Sequence, residues 1–309
     1  MRILDLPEIR QRLLPSEIIG LMRDALMAHS RGQCETPMPM HLDIAAEQGE
    51  VHMKSSYRRG GRYFALKIAS TFPHNVERGL STGNGMMLLA SAETGEPAAL
   101  LADRGHLTDV RTAAAAAMVA RELGRQDRVL GIVGTGVQAR LQAQMHAEVL
   151  PLEQIRIWGR DTERAEACRS DLINLLPGRD VRIAESPAEI AGGTRLIVTA
   201  TASREPLLRI EHVQPGTHIS AVGSDGPGKQ ELDPAIVRSA GLLLADSRRQ
   251  CEKLGELQHA PSEWQRAREI GEFCLHPSTL APSAISVCDF TGLGVEDLYI
   301  AEYCYERSL

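Results

Sequence analysis

The sequence predicts an α/β chain: a doubly wound parallel sheet in the second half, with an α+β part before it. Three observations lead there. Residues 126–284 alternate short apolar runs with helix-length segments, the β-α-β rhythm that lays parallel strands between helix layers. A glycine-rich turn, Gly131-Ile132-Val133-Gly134-Thr135-Gly136-Val137-Gln138-Ala139, joins the first of these strands to a helix. The length of 309 residues exceeds one ordinary core and suits two domains of about 100–200 residues each.

Each element has its own signal. Residues 16–30 carry helical spacing in Ile18, Ile19, Met22 and Leu26, with Ser16 as candidate N-cap after Pro15. Residues 51–55 and 62–69 have strand character. Residues 86–92 and 98–102 flank the turn Glu93-Thr94-Gly95-Glu96-Pro97 and read as a hairpin. Residues 107–123 form one helix with five consecutive alanines from Ala113 to Ala117, smooth enough to pack on a neighbour or a partner subunit. Strands follow at 128–133, 155–158, 181–184, 196–200, 218–222 and 242–245, with helices at 138–150 and 162–176. A strand at 285–290 and a helix at 295–305 are expected to return to the first domain. The expected division is therefore 1–125 with 285–309, against 126–284.

Composition excludes several classes. A net charge of -6 gives no basic face for nucleic acid. No apolar run approaches the roughly 18–20 residues that span a membrane, and residues 1–12 lack the apolar stretch of a signal peptide. The cysteines, Cys34, Cys168, Cys251, Cys274, Cys288 and Cys304, are scattered without a CxxC pair. They read as reduced thiols in a cytoplasmic protein. No histidine pair has metal-site spacing, so no metal is expected, and His106 reads as a turn or helix-start residue.

The glycine turn is the strongest motif. Gly134, Gly136 and Ala139 make a GxGxxA placed after an apolar strand and before a helix, the context that marks dinucleotide binding in a Rossmann domain. Gly134 permits the tight turn, Gly136 lets backbone N–H groups approach a pyrophosphate, and Ala139 lets the helix sit close to the sheet. Thr135, Val137 and Gln138 complete the phosphate-facing loop at the helix N-terminus. Thr199 and Ala200, at the end of strand 196–200, are further candidate cofactor contacts. About 20 residues beyond the loop stands Trp158-Gly159-Arg160-Asp161. Arg160 suits a 2′-phosphate, while Asp161 lies one place late for an acid reading a ribose 2′-hydroxyl, so NADP(H) is favoured over NAD(H).

Beyond this loop, the chain carries Phe64-Ala65-Leu66-Lys67, Pro73-His74-Asn75, Leu107-Thr108-Asp109-Val110-Arg111-Thr112, Ala221-Val222-Gly223-Ser224-Asp225-Gly226-Pro227-Gly228-Lys229-Gln230-Glu231-Leu232 and Asp289-Phe290-Thr291-Gly292-Leu293-Gly294-Val295-Glu296-Asp297-Leu298. With these motifs in this order it resembles the ornithine cyclodeaminase/mu-crystallin family, from about Met38 to Ala301. The resemblance implies a homodimer in which a substrate-binding and dimerisation domain joins a Rossmann domain, with the active site in the cleft. It implies hydride exchange between a nicotinamide and the α-carbon of an amino or imino acid.

The same resemblance assigns roles residue by residue. Lys67 and Arg111 become clamps for the substrate carboxylate, against the plainer readings of a snorkelling lysine and a surface cation. Asp225 becomes the acid/base at the substrate nitrogen, against a turn aspartate bonding its own backbone. Lys229 is a further polar position of that motif, and Thr82 and Thr112 resemble cofactor-contacting threonines. Two departures stand out. The arginine that ornithine-cyclising members carry near residues 38–42 is missing, and His52 stands where they have a glutamate. His52 and Lys54 share a parity, so both project from one face of a strand as candidate substrate contacts.

These departures favour a reductase of a ketimine acid, such as a Δ1-pyrroline-2-carboxylate, giving an L-amino acid. A cyclodeaminase recycling NAD+, an amino-acid dehydrogenase using free ammonia and a dinucleotide-dependent binding protein are the alternatives. Net NADPH consumption, ammonia release without net cofactor change, ammonia-dependent turnover and binding without turnover would separate the four.

Overall fold

A computed structural model describes all 309 residues. The chain divides into two compact units, Met1–Arg111 with Leu293–Leu309, and Thr112–Gly292.

The first unit opens with strand β1 (Arg2–Asp5) and helix α1 (Leu6–Arg12), which an aspartate-glutamate capping box starts at Asp5 and Glu8. Helix α2 (Pro15–Ser30) follows, with Leu14 at its N-cap. Ser16 is thus not the cap: Pro15 already sits in the first turn, where its missing N–H costs nothing. Then come β2 (Cys34–Glu35), β3 (Met40–Ile44), β4 (Gly49–Arg58), β5 (Tyr63–Thr71), β6 (Gly83–Ser91) and β7 (Pro97–Ala102). They form one sheet in the order β1-β7-β6-β5-β4-β2, with β3 also paired to β4. The β6–β7 pair is the expected hairpin. Cross-strand register sorts its two faces. One row runs Leu4, Leu101, Met87, Lys67, Lys54, apolar at one end and cationic at the other. The row behind it on the opposite face runs Ile3, Leu100, Leu88, Leu66, Ser55.

Helix α3 (His106–Glu122) starts at His106, and Asp103 accepts a hydrogen bond from the Leu107 N–H at 2.7 Å. It runs unbroken past Arg111, so the expected division at residue 125 falls instead inside this helix. Residues 113–120 are fully buried within the single chain. The alanine stretch is therefore spent on internal packing and leaves no smooth face for a partner subunit.

The second unit contains β8 (Val129–Val133), α4 (Val137–Val149), β9 (Gln154–Trp158), α5 (Thr162–Leu175), β10 (Asp180–Ile183), α6 (Pro187–Gly193) and β11 (Leu196–Thr199). It continues through β12 (Arg204–Leu208), β13 (His218–Ala221), β14 (Gln230–Leu232), α7 (Pro234–Ser239), β15 (Leu242–Ala245), α8 (Arg248–Leu254), β16 (Arg268–Glu269), α9 (Ile270–Leu275) and β17 (Ser286–Asp289). Eight of these strands form a parallel sheet in the order β10-β9-β8-β11-β13-β17-β15-β16. The order reverses between β8 and β11, which opens a crevice beyond their carboxyl ends. Strand β17 corrects an expectation. Instead of returning to the first domain it slots between β13 and β15, where its fully apolar Val287 joins the core of Val133, Ile197, Ile219 and Leu243. Only helix α10 (Gly294–Glu306) returns to the first unit. No helix is long and apolar enough to cross a membrane.

Candidate active site

In the first unit, the sheet row ending in Lys67 and Lys54 meets the start of α10. Gly294 allows this approach, because a Cβ there would collide with the Ser55 carbonyl on β4. One turn on, Asp297 receives Lys67 Nζ on Oδ2 at 2.9 Å and Arg111 Nε on Oδ1 at 3.1 Å. Arg111 Nη1 also lies 3.4 Å from Glu296 Oε2, an atom that accepts the Leu293 N–H and caps the helix. Lys54 faces the same group from the neighbouring strand and contributes to the field on Asp297. All five side chains are buried.

Burial pulls the Lys67 ammonium down to about 7 from 10.5. Asp297 opposes this, and the Arg111 and Lys54 charges add to it. Burial would raise the Asp297 carboxyl, but Lys67, Arg111 and Lys54 outweigh it and hold the group below the usual carboxylate range. Lys54, Lys67 and Arg111 thus gather around Glu296 and Asp297, with buried Asp103 also in the field of Asp297. A buried charge is costly unless paired.

His52 lies on the same face as Lys54. Its Nε2 is 3.5 Å from Glu50 Oε2, and its ring meets that of His41 edge-on at 4.6 Å, while His41 pairs with Asp43 at 2.8 Å. Thr82 is exposed just before β6, and its carbonyl accepts the Phe72 N–H. Thr112 follows Arg111 on α3.

In the second unit, the glycine loop leaves β8 at the crevice. Gly134 has φ +137°, and a Cβ there would stand 2.6 Å from the Ala200 carbonyl oxygen, so only glycine lets the loop lie against the end of β11. Gly136 differs: a Cβ there meets nothing within 4 Å. As N-cap of the 13-residue α4 it supplies no side-chain bond to the first N–H groups. Thr135 packs on Gly159. Val137 is exposed and Gln138 half-buried at the helix start. Arg140 braces the turn from behind, donating to the Thr135 carbonyl at 2.8 Å and the Gly136 carbonyl at 3.0 Å. An open, glycine-lined loop ahead of uncapped helix N–H groups fits a dinucleotide pyrophosphate.

Asp161 N-caps α5, accepting the Arg164 N–H at 3.0 Å, which leaves Arg160 exposed at the end of β9. The Thr199 hydroxyl donates to Glu231 at 2.7 Å and is fully buried, so the end of β11 is tied inward. Beyond β13, Asp225 accepts from Lys229 Nζ at 2.8 Å.

The structure therefore assembles two groups. Lys67, Arg111 and Lys54 converge in one unit; residues 134–138, Arg160, Thr199, Ala200, Asp225 and Lys229 stand at strand ends of the other. Sequence reasoning missed Asp297, Glu296, Arg140 and Glu231. Glu296 and Asp297 stand in the first turn of a helix, where acids are ordinary, and Glu231 is one letter of the longer run 221–232.

The model of the ornithine cyclodeaminase/mu-crystallin family matches residues 2–309. An uncharacterized cyclodeaminase of Sinorhizobium fredii is 39% identical over 100% of this chain and 96% of its own length. The Δ1-pyrroline-2-carboxylate reductase of Thermococcus litoralis, solved with NADH and L-proline, superposes with TM-score 0.92 at 26% identity, covering 100% of this chain and 97% of that one. An archaeal alanine dehydrogenase, solved as a dimer with NAD, gives TM-score 0.90 at 28% identity over 100% and 96%. Named activities among relatives divide between reduction of imino acids, alanine dehydrogenation and cyclodeamination. The chain belongs to the ornithine cyclodeaminase/mu-crystallin family, whose members are NAD(P)-dependent enzymes acting on amino and imino acids.

Proposed function

We propose that the chain reduces a ketimine acid, of the Δ1-pyrroline-2-carboxylate type, to an L-amino acid. The observation that carries this reading is the convergence of buried cations in the first unit. Lys67 and Arg111 meet at Asp297 in a buried setting, with Lys54 in the same field, a grouping of donors that suits a substrate carboxylate. Lys67 and Arg111 are the carboxylate clamp, sharing their donors between Asp297 and the substrate. Asp225, poised by Lys229, serves the substrate nitrogen, which gains a proton as the adjacent carbon gains a hydride. The nicotinamide supplies that hydride when bound. Residues 134–138 hold its pyrophosphate, with Thr82, Thr112 and Ala200 as further contacts. Arg160 receives a 2′-phosphate, which favours NADP(H), because Asp161 is committed to its helix.

His52 and Lys54, which share a strand face, are assigned to the side-chain end of the substrate. A second reading is favoured by Glu50, which shares their face: it could take the distal amine of a diamino acid, as a cyclodeaminase needs. The outer row Ile3, Leu100, Leu88, Leu66 is proposed as a homodimer face. Six cysteines without a disulfide suit a reducing compartment such as the cytoplasm.

The test mixes protein with NADPH or NADH and a panel of cyclic and open imino acids, following nicotinamide absorbance. Oxidation that falls at least about a hundredfold in Lys67→Met and Asp225→Asn is expected. Ammonia release from ornithine or lysine with catalytic NAD+, and no imine reduction, would replace this reading with the second.

A further inference from the structure

Four carboxylates are buried in the second unit away from any role given above: Glu231, Asp246, Glu256 and Asp289. Three of them form a chain of bonds. Asp289, on β17 in the middle of the sheet, accepts the N–H groups of Glu256 and Leu257, both at 3.0 Å. Glu256 in turn accepts the N–H groups of Glu231 at 2.7 Å and Leu232 at 3.2 Å. Glu231 ends the chain at the carboxyl ends of two strands. Its Oε1 accepts the Thr201 N–H at 2.6 Å and the Thr201 hydroxyl at 2.7 Å. Its Oε2 accepts the Thr199 hydroxyl at 2.7 Å and the Gly223 N–H at 2.9 Å.

The two segments joined this way are the ones the proposed chemistry needs. Residues 199–201 follow β11, where Ala200 abuts Gly134. Gly223 opens the loop that carries Asp225 and Lys229. Two glycines are shaped around the carboxylates: a Cβ on Gly223 would stand 2.6 Å from Glu231 Oε2, and one on Gly255 would stand 2.5 Å from Asp289 Oδ1. The short turn Glu256–His259 supports the loop's far side. Gln258 accepts the Gly228 N–H at 2.8 Å and donates to the Gly226 and Lys229 carbonyls, and His259 Nε2 lies 2.8 Å from the Lys229 carbonyl.

We propose that Glu231 is a positioning residue for the reaction, one carboxylate locking the segment beside the cofactor loop to the loop that bears Asp225. The proposal rests on the assignment of Asp225 and the glycine loop made above. Chemistry explains why a carboxylate is used. Each oxygen accepts two donors, and two of the four are backbone N–H groups that cannot turn away. A glutamine of the same shape offers one accepting oxygen and two donors. One backbone N–H, of Thr201 or Gly223, is then left facing a donor. Burial pushes the Glu231 carboxyl up to about 7 while its four hydrogen bonds pull it down. That opposition fits a group retained for geometry at a cost in stability.

The test compares full-length wild type with Glu231→Gln by hydrogen exchange of the apo protein and by steady-state kinetics. Exchange at residues 199–201 and 223–230 is expected to rise about tenfold, with α4 and β8 unchanged. The kcat for imine reduction is expected to fall at least about tenfold, while KM for the imino acid, set by Lys67 and Arg111, stays within about twofold. Should Glu231→Gln fail to fold, Thr201→Val removes one hydroxyl donor and is expected to loosen the same two segments by a smaller factor. Unchanged exchange in either segment overturns the brace. Faster exchange with unchanged kcat overturns its role in the reaction. Loss of the reductase reading leaves the exchange result standing, so the two failures are distinguishable.

Discussion

At the scale of single residues, Lys67 turns burial into a dependence on pH. Its ammonium is held near 7, so above that pH the clamp loses a charge and keeps only Arg111 at full strength. KM for the imino acid is expected to rise as pH increases past 7, by up to about tenfold per unit. Lys67→Arg, which stays charged throughout, should remove that inflection. An inflection that persists unchanged in the variant would take Lys67 out of the clamp. Stability moves the opposite way. Between 7 and 10.5 the unfolded chain binds a proton at Lys67 that the folded chain does not, so this residue adds stability as pH rises through that window. Arg160 makes a second prediction at this scale. If it receives a 2′-phosphate, Arg160→Ala weakens NADPH binding by about tenfold or more and NADH binding by less than about twofold, measured by fluorescence titration. Equal losses would leave Arg160 as a solvated cation. Lys67, Arg111 and Asp225 stand out in the sequence as single letters of motifs that resemble the family's. Asp297 was not singled out, because its meaning lies in meeting Arg111 across 186 positions of chain, a distance no local pattern spans.

At the scale of elements, the glycine loop separates folding from binding. Gly134 is required by the protein itself: its φ of +137° and the Ala200 carbonyl 2.6 Å from a Cβ leave no room for a side chain. Gly134→Ala should cost about 1–3 kcal/mol of stability in a thermal melt. Gly136 has an ordinary negative φ and open space around a Cβ. Gly136→Ala should therefore fold with an unchanged melting temperature and yet bind dinucleotide at least about tenfold more weakly, because the added methyl occupies the approach to the helix N–H groups. Undiminished binding in Gly136→Ala would displace the pyrophosphate from this loop. Long helices and apolar runs were readable: α4 and α5, and the strands β8, β9 and β15, lie within a residue or so of where helical spacing and apolar runs put them. Short, largely polar strands, β2, β12, β14 and β16, escaped, since they carry neither a period nor an apolar run. Strand β17 was found but misplaced, because its partners β13 and β15 are chosen by a vacancy in the sheet that only the assembled fold defines.

At the scale of the whole molecule, the first unit's sheet poses a problem that one chain leaves unsolved. Its inner row ends in the buried cations. Its outer row, Ile3, Leu100, Leu88 and Leu66, crosses four strands as unbroken apolar surface, with Ile3 60% and Leu66 38% exposed. Met86 and Met40 extend it on either side of the next row, 46% and 63% exposed. Contiguous apolar surface of this kind marks an interaction site rather than the scattered exposure normal for monomers. The alanine helix, expected to be available for such a contact, is buried, so the sheet face is the better candidate for a two-fold interface. An isologous contact places each substituted residue in the interface twice. Leu66→Glu together with Met86→Glu is thus expected to convert the protein, by light scattering, from twice the 33.7 kDa chain mass to once, with little change in the far-ultraviolet circular dichroism. Because Leu66 adjoins Lys67 on β5, loss of the partner should also raise KM for the imino acid before it lowers kcat. A variant that stays dimeric would move the interface elsewhere on the chain. A wild type that is monomeric at micromolar concentration would make this face a site for a different partner.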